Sequence, residues 1–181
     1  YGRTQPNFSI RGISVANEFS AATASPVGVY VDEVYQSFRA SHGQQLFDLE
    51  SVEVLRGPQG TLYGRKTTGG AVNVNTVKPS LEEGMSGFLS VRLGNYSYAD
   101  FTGAVEATII PDVLGVRLSG AVSEADGYVD NTLLGTDHPQ TSSTAGRLSV
   151  LWRPSDKTDI HAKVYWAEND PRQDIAFGAG Y

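Results

Sequence analysis

Phe101-Thr102-Gly103-Ala104-Val105-Glu106-Ala107-Thr108-Ile109-Ile110-Pro111-Asp112-Val113-Leu114-Gly115-Val116-Arg117-Leu118-Ser119-Gly120-Ala121-Val122-Ser123 is the stretch that decides the fold. Its first half sets Phe101, Gly103, Val105, Ala107 and Ile109 against Thr102, Ala104, Glu106 and Thr108. Its second half sets Leu114, Val116, Leu118, Gly120 and Val122 against Arg117, Ser119 and Ser123. Successive side chains of a strand point to opposite faces, so period two with one apolar side predicts two strands. Ile110-Pro111-Asp112 supplies the turn chemistry of a tight connection between them.

The pattern continues outward on both sides. Upstream, Leu89, Val91 and Leu93 alternate with Ser90 and Arg92. Downstream, Leu148, Val150 and Trp152 oppose Arg147 and Ser149, and Ile160, Ala162, Val164 and Trp166 oppose Asp159, His161, Lys163 and Tyr165. Arg153-Pro154-Ser155-Asp156-Lys157 is a second tight turn, whereas Gly94-Asn95-Tyr96-Ser97 and the polar stretch Glu124 to Ser142 fall at the other end. Short turns on one side and longer loops on the other are the signature of an outer-membrane β-barrel. Tyr96, Tyr98, Trp152 and Trp166 lie near the predicted strand ends, where aromatic girdles belong. A soluble β-sandwich also alternates, but it commonly uses Greek-key crossings rather than a long meander.

Composition agrees with a β-rich, turn-rich chain. Of 181 residues, 20 are Gly, 9 are Tyr and only 19% are charged. A net charge of −6 argues against a nucleic-acid binder. With no Cys, neither a disulfide framework nor a thiolate metal site exists. His42, His138 and His161 lie far apart, so no metal site or cofactor is expected. No apolar run approaches the roughly 20 residues of a membrane-spanning helix, and Tyr1-Gly2-Arg3 does not open a signal peptide. Barrel strands of about 9–11 residues escape such averages.

The character changes near Lys78-Pro79-Ser80. Before it lie short predicted strands at Phe8-Ser9-Ile10, at Val27 to Val31 (alternating and closed by Asp32), at Val52 to Leu55 and at Val72 to Val77. Gln45 to Asp48 reads as one helical turn, and Pro58 as a first helical residue. The fold class is therefore an α+β domain over 1–80, followed by antiparallel transmembrane strands over 81–181. Gly60 to Thr67 only approximates a phosphate-binding loop, because three residues separate Gly60 from Gly64 and Arg65 precedes Lys66.

Leu49-Glu50-Ser51-Val52-Glu53-Val54-Leu55-Arg56-Gly57-Pro58-Gln59-Gly60-Thr61-Leu62-Tyr63-Gly64 closely resembles the plug signature of TonB-dependent outer-membrane receptors. So do Gly69-Gly70-Ala71-Val72-Asn73-Val74-Asn75-Thr76, Phe8-Ser9-Ile10-Arg11-Gly12 and Val29-Tyr30-Val31-Asp32, in the same order. The resemblance implies a plug domain inside an outer-membrane barrel of a Gram-negative cell. A barrel enclosing such a domain needs around 22 strands, so five strands form only part of one. The TonB box and most of the barrel are expected beyond this sequence.

The same resemblance implies active import of a scarce nutrient, such as a ferric siderophore, a cobalamin or a glycan. The implied partners are TonB, outer-membrane lipid and a small metal chelate or glycan, with no nucleic acid. It also implies that Arg11 and Arg56 lock plug to barrel by pairing with barrel glutamates. A buried Arg without a partner is costly, so a carboxylate is expected beside each. Tyr35, Phe38, Arg39 and His42 combine stacking, charge and hydrogen bonding, as an outward-facing ligand apex would. Two alternatives remain at this level: a signal-transducing receptor of the same family, and a soluble carbohydrate-binding β-domain. The sequence carries no Ser-His-Asp arrangement or paired carboxylates, so no catalytic residues are assigned.

Overall fold

A computed structural model describes residues 8–14, 25–37, 42, 46–64, 66–126, 129–131, 136–138 and 140–172. The chain divides into two compact units, Tyr1–Val77 and Lys78–Tyr181.

In the first unit, β1 (Val27–Val31), β2 (Val34–Tyr35), β3 (Leu49–Arg56) and β4 (Gly70–Thr76) form one sheet, with a single turn of helix, α1 (Gly60–Tyr63), between β3 and β4. The strand order is β2-β1-β4-β3. β1 runs parallel to β4, and the other two pairings are antiparallel. All five residues of β1 are buried, although their alternation suggested a half-buried strand. The reason is position: β1 lies inside the sheet with both faces covered. Val27, Val31, Val72 and Val74 form the core with Ile10, and Phe8 and Leu49 pack against it. Burial of each such valine contributes about 2 kcal/mol.

Polar bonds hold what this small core does not. Asp32 and Glu33 both take positive φ (49° and 68°) in the two-residue turn between β1 and β2, as a primed hairpin turn requires. The Asp32 carboxylate accepts bonds from the Thr76 amide at 2.9 Å and the Thr76 hydroxyl at 2.8 Å. That turn is thereby fastened to the end of β4. Asn73 donates to Glu53 at 3.4 Å and Asn75 to Ser51 at 2.9 Å, so the amide face of β4 is a cross-strand ladder to β3.

Three local expectations are corrected. Phe8 to Ile10 is not a strand; Ile10 instead bridges Ile13 around a turn at Arg11-Gly12. Leu46 to Asp48 is a bend rather than a helical turn, and Gln45 lies outside the described residues. Helix α1 starts at Gly60 with Gln59 as its N-cap, leaving Pro58 outside.

The second unit is a meander. Strands β5 (Met85–Leu93), β6 (Ala99–Ile110), β7 (Leu114–Ala125), β10 (Gln140–Ser155) and β11 (Thr158–Arg172) pair in the order β11-β10-β7-β6-β5. All neighbours are antiparallel. The predicted long loop contains a short ribbon, β8 (Val129–Asn131) with β9 (Thr136–His138). Strand β10 runs through Pro154, which sits at a register shift between Trp152 and Ser155. A bulge tolerates a residue that lacks an N–H, and the turn itself shrinks to Asp156-Lys157. Trp166 is likewise not near a strand end, since β11 continues to Arg172.

Exposure across this sheet is inverted relative to a sandwich. Leu89 is 74% exposed, Val164 68% and Leu118 55%, whereas Arg117, Ser119, Arg147 and Ser149 are buried. The covered face is the polar one. Charges on it pair along the register: Arg92 donates to Asp100 at 3.0 Å. Ser86, Glu106 and Arg117 stand in one row across three strands, and Glu106 accepts from Ser86 at 2.8 Å and from Arg117 at 2.9 Å. The Arg117 and Glu106 side chains are only 8% and 17% exposed, so removing Arg117 takes the cationic partner from a largely buried carboxylate. We expect Arg117→Met alone to destabilise the intact protein by about 3 kcal/mol, and Arg117→Met with Glu106→Gln by clearly less. A double-mutant cycle on thermal unfolding of the membrane-embedded protein measures the difference.

Candidate functional site

The segments that carry the two arginines meet at one end of the first sheet. Arg11 occupies the turn between Ile10 and Ile13 with φ 53°, and Arg56 ends β3 opposite Gly70. Ile13 packs against Gly69, and Ile10 against Gly70. Gly70 itself, at φ 149°, leaves no room for a Cβ beneath the Leu55 carbonyl. The Arg11 turn thus rests on the glycine pair beside Arg56. Both arginines are exposed rather than buried, and among the described residues neither side chain has a hydrogen bond or ion pair.

Of the four apex residues, Tyr35 and His42 lie among the described ones. Phe38 and Arg39 lie outside the described residues. His42 is 4% exposed; its Nε2 lies 3.1 Å from the Gln36 carbonyl and its ring 6.3 Å from that of Phe8. A buried imidazole engaged in this way is not presented to a ligand. Tyr35 is half-buried, with its ring 5.4 Å from that of Tyr30.

Sequence reasoning missed the group around Tyr30. This side chain is 6% exposed, and its hydroxyl donates to the Tyr63 carbonyl at the end of α1, with ring centroids 4.8 Å apart. Beside it, Thr67 is 2% exposed and donates to the Gly64 carbonyl at 2.7 Å. Gly28 leaves space for both: a Cβ there would stand 2.7 Å from Thr67 Cγ2 and 2.9 Å from Tyr30 Cε2. The signal was present in the sequence as Gly28 and Tyr30 on one side of β1, but only the fold brings Tyr63 and Thr67 over them.

With this geometry in place, the comparisons decide the family. Residues 1–71 match the family model described as the TonB-dependent receptor plug domain. The pesticin receptor of Yersinia pestis is 34% identical over 152 residues, covering 82% of this chain and 21% of that receptor. The chain belongs to the TonB-dependent receptors.

This is a family of receptors and transporters of the outer membrane, and the chain accordingly combines a plug with barrel strands. The ferrioxamine B receptor of Salmonella typhimurium is 29% identical over 148 residues, covering 78% of this chain and 19% of its own length. The ferric yersiniabactin uptake receptor of Yersinia pestis superposes with a TM-score of 0.80 at 27% identity, covering 92% of this chain and 26% of that one. The pyoverdine receptor of Pseudomonas aeruginosa shares the fold at 17% identity, with a TM-score of 0.71 over 91% of this chain and 22% of its own. The chain spans about a fifth of the length of the curated relatives it matches.

Within the plug, burial first, and then the Tyr35 and Tyr63 phenols, push the Tyr30 hydroxyl above its ordinary pKa. The folded state therefore favours the protonated phenol. Its stabilising effect is complete below about pH 10 and falls as pH rises through the elevated folded value. The tyrosinate absorbance of the intact receptor, minus that of Tyr30→Phe, should show one phenol titrating later than the exposed tyrosines.

Proposed function

We propose that the intact receptor imports a ferric siderophore through a plugged barrel, with TonB as the energy-transducing partner. The observation that carries this reading is the 27% identical superposition, over 92% of the chain, on a ferric yersiniabactin uptake receptor. The names of the ferrioxamine B and ferric yersiniabactin receptors favour a metal chelate over a cobalamin or a glycan. The chemistry of such a system is mechanical. The chelate binds outside, and force transmitted through TonB rearranges the plug so that the ligand passes.

Arg11 and Arg56 take the locking role in this proposal. Arg11 and Arg56 are exposed, lie on segments that meet at Gly69 and Gly70, and make no ion pair among the described residues, so this end of the plug sheet is cationic. Glutamates on later barrel strands would satisfy both, and bidentate Arg–carboxylate pairing sets orientation as well as attraction.

Iron-starved cells carrying only this receptor should accumulate radiolabelled iron from a ferric siderophore panel, and deletion of TonB should abolish that uptake. No accumulation from any ferric chelate would overturn the substrate class. Arg11→Ala with Arg56→Ala should admit large antibiotics that the intact plug excludes. Unchanged antibiotic sensitivity and unchanged uptake would remove the lock.

A further inference from the structure

Helix α1 should not persist by itself. One turn of helix is far below the length at which helices hold in water. Its N-cap, Gln59, makes no side-chain capping bond, its first turn carries no acidic residue and its last turn no basic one. None of its residues is buried, and Leu62 is 78% exposed. Its internal bonds run from the Leu62 and Tyr63 amides to the Gln59 carbonyl, and from the Gly64 amide to the Gly60 carbonyl. Something outside the helix therefore holds residues 59–64 in place.

Two attachments, of different kinds, do so. At the base, Thr67 gives its carbonyl to the Gln59 amide at 3.0 Å and its hydroxyl to the Gly64 carbonyl at 2.7 Å. Thr67 is itself fixed, because it is buried against Gly28 of β1. Both ends of the 59–64 segment thus pivot on one residue. One residue before Gly64, the Tyr30 hydroxyl and ring hold the Tyr63 carbonyl and ring. Among the described residues, this is the hydrogen bond that ties α1 directly to β1. The β3–β4 pairing closes beneath the segment through the Gly57 amide and Gly69 carbonyl at 3.2 Å, so the segment can leave without unpairing either strand.

We propose that residues 59–64 are a latched strap on the plug sheet, with Tyr30 as the latch, and that release of this strap as a unit is a step in opening the plug. The strap swings on Thr67 while β1 and β4 stay paired. Segments with few buried apolar contacts and few attachments outside themselves are the ones that open below the global unfolding free energy. Tyr30 is a positioning residue in this device, since it acts through α1. The functional half rests on the import reading; the structural half does not.

Hydrogen exchange on the intact receptor in its membrane tests the structural half. Tyr30→Phe keeps the ring and the core but loses the hydroxyl. It should speed exchange at Leu62, Tyr63 and Gly64 about tenfold, while the amides of β1 and β4 stay unchanged. Tyr63→Leu, which keeps the carbonyl and loses the ring, should accelerate the same three amides. No acceleration, or equal acceleration in β1 and β4, would overturn the latch. For the functional half, Tyr30→Phe should raise saturated uptake of a ferric siderophore about twofold with half-saturation unchanged, as expected when an opening step limits turnover. An unlatched strap with unchanged uptake would refute its part in opening. Absence of uptake in the wild type would instead count against the import reading and leave the exchange result standing.

Discussion

A strand that meets hydrocarbon has no water to bond its backbone, so every amide and carbonyl must find a neighbouring strand. The second unit is organised by that requirement. Its central strands β6, β7 and β10 pair on both sides for nearly their full lengths, 12, 12 and 16 residues. Once the apolar face is turned outward, polar residues such as Arg117, Ser119, Arg147 and Ser149 fall on the other face. Charges collected there must neutralise one another, as Arg92 does with Asp100 and Arg117 with Glu106. Register, inverted exposure and the polar ladder follow from the one constraint.

The plug obeys a different balance. Among the described residues its core cluster is four valines and Ile10. Directional bonds add to it: Asp32 on Thr76, the asparagine ladder of β4, and Tyr30 on Tyr63. Directional bonds break one at a time, whereas a large apolar core separates only as a whole. A domain assembled in this manner is suited to partial rearrangement.

The barrel strands were legible because period two survives without knowledge of the partner strand. Phe101 to Ile109 and Leu114 to Val122 read correctly from alternation alone. Their ends were less visible. Pro154 suggests a turn by itself, but a bulge absorbs it, and Trp166 seemed terminal only because β11 was read too short. In the plug, the short apolar patterns at Val52 to Leu55 and Val72 to Val77 located β3 and β4, while local chemistry misjudged Phe8 to Ile10 and Pro58. The site was the least legible part. His42 carries ligand-like chemistry in sequence, but the fold buries it beside Phe8. The meeting of the segments that carry Arg11 and Arg56 depends on glycines at 69 and 70, which no spacing rule connects to residue 11.

The parallel pairing of β1 with β4 also bears on the order of assembly. Val27 meets Gly70, so the 42 residues from 28 to 69 must be looped out before the first of these bonds forms. The β6–β7 and β10–β11 hairpins close over turns of two or three residues. Loop-closure entropy delays distant pairings relative to local ones. As the chain emerges, the central pair of the plug sheet cannot zip until β4 exists, and the hairpins that follow need no such wait. The domain that lies first in sequence therefore has no kinetic head start, and its two middle strands must be kept from other partners during that interval.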